Sequence, residues 1–123
     1  MDISELLKYY WFFGGSIKSF HLDIPNNTAE IQILVKRDIN RHYLGRVEEK
    51  NMMPCTLSIR FEGLIEISLF DRFPTLGYYL DCMSYGKDGE EVGFSFNVHD
   101  NSNYTYETDN WVIKAKHIHW VEI

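Results

Sequence analysis

The stretch from Cys55 to Phe70, CTLSIRFEGLIEISLF, constrains the fold of this chain more than any other. Leu57, Ile59 and Phe61 alternate with Ser58, Arg60 and Glu62, the period of two expected of a strand with one buried face. Beyond Gly63 the same phase resumes in Ile65, Ile67 and Leu69, with Glu66 and Ser68 pointing the other way. Two arrangements preserve this phase: one strand bent at the glycine, or a hairpin with loop 62–64 that pairs Phe61 with Ile65 and Ile59 with Ile67. A two-residue turn at Glu62-Gly63 would set Ile59 against Glu66 and is rejected. The three-residue loop wants positive φ at its last position, where Leu64 fits poorly, so the long bent strand is preferred.

Other stretches read as partners for this strand. Ile17 to Ile24 places Phe20, Leu22 and Ile24 on one face, Pro25-Asn26-Asn27 turns the chain, and Ala29 to Lys36 returns with Ile31, Ile33 and Val35 inward. Together they form an antiparallel hairpin. Gly77 to Tyr85 and Val92 to Val98 form a second one, closed by a three-residue loop within Gly86-Lys87-Asp88-Gly89-Glu90. That register sets Cys82 opposite Phe94, Leu80 opposite Phe96 and Tyr78 opposite Val98. Trp111 to Ile123 closes the chain, and its apolar phase switches near Lys116, which implies a bulge or kink. Tyr104 and Tyr106 alternate inside the polar 99–110 stretch and suggest an additional edge strand.

Before the strands, Ser4 to Phe13 reads as a short helix. Leu6, Leu7, Tyr10 and Phe13 make an apolar stripe, Asp2 or Ser4 can cap the first turn, and Gly14-Gly15 ends it. Residues 37–54 form a long charged connection, with a helical turn suggested over Asp38 to Leu44. The expected architecture is α+β and mainly β. It consists of a short N-terminal helix on a twisted, mostly antiparallel sheet of about six or seven strands, with residues 1–123 as one domain.

Composition bounds the function. Apolar residues at 45% and aromatics at 15% suit a packed globule. No apolar run approaches the roughly 18 residues of a membrane span, and no basic, apolar and small-residue sequence at the N-terminus suggests export. A cytoplasmic location without membrane contact is therefore expected. Cys55 and Cys82 fall in phase with apolar neighbours and read as small core residues in a reducing compartment. Asn26-Asn27-Thr28 and Asn103-Tyr104-Thr105 match the glycosylation pattern but read as turn chemistry.

Charge is distributed unevenly. Residues 1–50 carry seven acids and seven bases, whereas 81–109 hold Asp81, Asp88, Glu90, Glu91, Asp100, Glu107 and Asp109 against Lys87 alone. That stretch accounts for the whole net charge of −6. It is either a solvated surface or a docking face for something basic. Between Asp100 and Trp111 tyrosines interleave with acids and asparagines, the composition of an interface hot spot or of rings packed on a sheet edge. Nucleic acid is disfavoured as a partner because these aromatics lie among acids that repel phosphates.

Catalytic signals are sparse. His117 and His119 share a strand face about 7 Å apart, and with His21 or His99 they could hold a metal, but no second ligand pair has diagnostic spacing. Histidines exposed beside lysines are the simpler account. His99-Asp100 and Glu90-Glu91 supply acid–base residue types without a nucleophile motif. No phosphate-binding glycine pattern is present. No metal or cofactor is expected.

Four stretches carry a resemblance: Trp11-Phe12-Phe13-Gly14-Gly15, Phe20-His21-Leu22, Leu57-Ser58-Ile59-Arg60-Phe61-Glu62-Gly63 and Ile118-His119-Trp120. With them the chain resembles the small cytoplasmic immunity proteins of bacterial toxin–immunity systems, including contact-dependent inhibition. The resemblance implies a protein that is not an enzyme, that binds one toxin domain tightly and often covers its active site. Many such toxins are nucleases with a basic cleft. The immunity proteins share no functional residues that transfer here, so the candidates come from the charge map: Asp88, Glu90, Glu91, Asp100, Tyr104, Tyr106, Glu107 and Asp109. Two alternatives stay open. One is a small metal-dependent or acid–base enzyme using His99, Asp100, His117 and His119; the other is a homo-oligomeric scaffold, such as a homodimer joined through an edge strand.

Overall fold

Long antiparallel strands dominate the chain. The computed structural model describes residues 5–38, 52–69, 80–86, 91–96 and 110–123. A single helical turn, α1 (Leu6–Tyr9), precedes β1 (Tyr10–Asp23), β2 (Thr28–Asp38), β3 (Met52–Leu69), β4 (Leu80–Tyr85), β5 (Glu91–Phe96) and β6 (Asn110–Glu122). Their order across the sheet is β1-β2-β3-β6-β5-β4, and every pairing is antiparallel. The sheet curls into a half-barrel that brings its edge strands β1 and β4 into contact. Rings on β1 and β6, two places apart from direct pairing, meet across the interior. Tyr10 packs edge-on against Trp120 at 5.4 Å, and Phe20 against Trp111 at 5.6 Å.

β3 is the expected single strand, 18 residues long, pairing β2 over Met52–Glu62 and β6 over Leu57–Leu69. Leu57, Ile59 and Phe61 are fully buried, on one face with Ile31 and Ile33 of β2 and Ile113 of β6. The bend falls at Gly63, whose φ of 67° is left-handed and would cost another residue about 1–2 kcal/mol. A Cβ there would also press on the Lys116 side chain at 3.1 Å. β6 switches phase opposite this glycine, as expected near Lys116. Phe61 and Leu64 face Ile118 and Ala115, so both strands change face together.

Beyond the bend the expected phase needs correction. A bulge between Leu64 and Glu66 turns Ile65 outward, 60% exposed, and Leu64 takes the core position instead. Ile67 returns to the core and Leu69 is exposed. The left-handed glycine breaks the pleat alternation, and the bulge one step later restores it.

The β1–β2 turn is locked to this bend. Asn27 is left-handed, with φ 52°, a conformation asparagine tolerates. Its carbonyl accepts from the N–H groups of both Gly63 and Leu64 at 3.2 Å, and its Nδ2 donates to the Leu64 carbonyl at 3.1 Å. Asn26 donates from Nδ2 to Asp23 Oδ2 at 2.8 Å. In the hairpin Ile31, Ile33 and Val35 are buried as expected, but Leu22 and Ile24 are exposed, because they lie at the turn, past the end of the core.

The helix expected over Ser4–Phe13 is not found. One turn holds Leu6 fully buried, and by Tyr10 the backbone is extended, with φ −124° and ψ 139°. Tyr10 and Phe12 are buried from a strand. β1 then bulges: residues 12–15 stand where β2 has only Val35. Gly15 sits so close to β2 that a Cβ would collide with the Leu34 carbonyl oxygen.

In the second hairpin Leu80 opposes Phe96 as expected, but Met83, not Cys82, opposes Phe94. Tyr85 pairs with Val92 and Gly86 N–H donates to the Glu91 carbonyl at 2.7 Å, so the connection is 87–90, one residue longer than expected. A bulge between Leu80 and Cys82 absorbs the difference. Tyr78, Val98, the extra strand at Tyr104–Tyr106 and most of the 37–54 connection lie outside the described residues; Asp38, expected in a helical turn, ends β2. Among the described residues no helix is long and apolar enough to cross a membrane.

Candidate partner-binding surface

Of the eight candidate residues, Glu91 is described, and Asp88, Glu90, Asp100, Tyr104, Tyr106, Glu107 and Asp109 lie outside the described residues. Glu91 opens β5, half-buried, with its Oε2 3.9 Å from Nζ of Lys114 on β6. Lys114 stands between two carboxylates, since Glu66 of β3 opposes it on the other side. Glu91 is therefore partly compensated within the molecule.

The strand ends divide the candidates into two groups. Residues 87–90 join Gly86 to Glu91, and residues 97–109 join Phe96 to Asn110. These attachment points are the opposite ends of β5, about 16 Å apart at the usual strand rise. Asp88, Glu90 and Glu91 belong to one end. Asp100, Tyr104, Tyr106, Glu107 and Asp109 belong to a segment attached at the other.

The face of the sheet turned away from the core has a different character. Register aligns His21, Glu30, Arg60 and His119 in one row across β1, β2, β3 and β6, and Asp23, Thr28, Glu62 and His117 in the next. Arg60 Nε donates to Glu62 Oε1 at 3.0 Å, and His119 Nε2 lies 3.9 Å from Glu62 Oε2. With the histidines neutral, the two rows hold three acids, Asp23, Glu30 and Glu62, against Arg60. Exposed pairs of this kind contribute at most about 1 kcal/mol each.

His21, His117 and His119 are all exposed on this face, and His99 lies outside the described residues. Among the described residues no three His, Cys, Asp or Glu side chains are placed to share a metal ion. Cys55 is half-buried against the core, as its phase suggested.

Two features went unnoticed in the sequence. At one end of the sheet Arg37 Nε donates to Glu122 Oε1 at 3.0 Å, and Tyr10 Oη donates to Glu122 Oε2 at 3.1 Å. Arg37 is only 13% exposed, and the hydrogen bond to Glu122 raises its pKa above the ordinary guanidinium value against the opposing effect of burial. The available signal was phase. Arg37 continues the inward run of Ile31, Ile33 and Val35, and Glu122 that of Ile118 and Trp120. Charged residues on an inward phase need each other. The second feature is a groove of about 100 Å³ beside the β1 bulge, lined by Trp11, Gly14, Gly15, Leu34, Lys36 and Pro54. Trp11 is 44% exposed there.

Compared with protein-family models, with curated proteins and with solved structures, the chain matches none.

Proposed function

We propose that this chain is a non-enzymatic immunity protein that binds and neutralises a cognate bacterial toxin domain, through the acidic, aromatic part of residues 81–109. The observation that carries the proposal is the contrast in charge. Seven acids against Lys87 fall in that one stretch, while residues 1–50 carry seven acids and seven bases. An acidic segment with tyrosines suits a basic protein cleft, such as that of a nuclease. Complementary charge speeds encounter and buried aromatic anchors slow release.

Within the acidic stretch, the pairing of Glu91 with Lys114 shifts the emphasis to the 97–109 segment. Asp100, Tyr104, Tyr106, Glu107 and Asp109 are its proposed contacts, with Asp88 and Glu90 secondary. The half-barrel serves as a rigid frame. The protein acts in the cytoplasm, needs no cofactor, and meets neither nucleic acid nor membrane in this role.

The test is capture from the source cell with the wild-type chain, followed by titration of the captured protein with Glu107→Lys and Asp109→Lys variants. Binding should weaken by about 1 kcal/mol or more, the scale of a hot-spot residue. Unchanged affinity in both variants would remove this face from consideration. Self-association as the only binding observed would favour a homodimeric scaffold.

A further inference from the structure

We draw no further inference here: the strongest candidate, the small apolar groove that the β1 bulge opens between Trp11, Leu34 and Pro54, is an unpartnered surface with nothing in the structure to show what covers it.

Discussion

The two hairpins that flank the β3–β6 ladder occupy similar places and differ in what they carry. β1–β2 lies along the first half of β3 and gives the core Ala29, Ile31, Ile33 and Val35. From Tyr10 to Asp38 its acids (Asp23, Glu30, Asp38) and bases (Lys18, Lys36, Arg37) cancel. β4–β5 lies along the first residues of β6, with Val92 buried among its described side chains, and the 81–109 stretch of the sequence holds the net charge of the whole chain. The two flanks therefore differ in the charge of their sequence, balanced in the first and acidic in the second.

Substitutions in the first hairpin and the central ladder should lower stability, whereas charge changes in the acidic stretch should act on binding. The largest effect is expected from Ile33→Ala, which empties a fully buried site between Ile17 and Leu57. A loss of about 2–5 kcal/mol in urea unfolding is expected; a loss below 1 kcal/mol would mean that this flank is not the core. Arg37→Met should follow. It leaves the Glu122 carboxylate without its guanidinium partner at a mostly buried position, at about 1–3 kcal/mol.

The sign of the Arg37 contribution with pH follows from its raised pKa. The stabilisation is complete below the ordinary guanidinium value and is lost only as pH climbs past the raised one. Arg37 itself therefore adds no slope to stability across the neutral range. Gly63→Ala should cost about 1–2 kcal/mol for the left-handed backbone, and the pressure on Lys116 adds to that. The smallest effect is expected at Arg60→Ala. Its exposed bond to Glu62 predicts a change within about 0.5 kcal/mol in the same unfolding assay.

Much of the central ladder was legible because its signals are local. Alternation along Leu57–Phe61, the glycine at 63, the asparagine turn and the phase switch near Lys116 each sit within a few residues. What escaped depends on residues far apart. Leu6, Leu7, Tyr10 and Phe13 are spaced to suit a helix, and the extended backbone from Tyr10 on follows from pairing with β2 and from the ring contact of Tyr10 with Trp120. The bulge at residues 12–15 needs Gly15 to pass close over Leu34. The longer 87–90 connection is offset by a bulge at Leu80–Cys82, a compensation with no mark in the residue pattern. Likewise Ile65 and Leu64 exchange roles because Asn27, on another strand pair, holds the bend from outside. The candidate surface was legible only as composition, and the structure adds its attachment at the two ends of β5 and the Lys114 partner of Glu91.

Affinity of the captured partner for the Glu107→Lys, Asp109→Lys double variant, measured beside its urea unfolding curve, addresses the central claim most directly. Binding weakened tenfold or more, about 1.4 kcal/mol, with an unfolding midpoint like that of the wild type, is the expected result. Full affinity in the variant, or a loss of binding matched by a loss of folding, would contradict it.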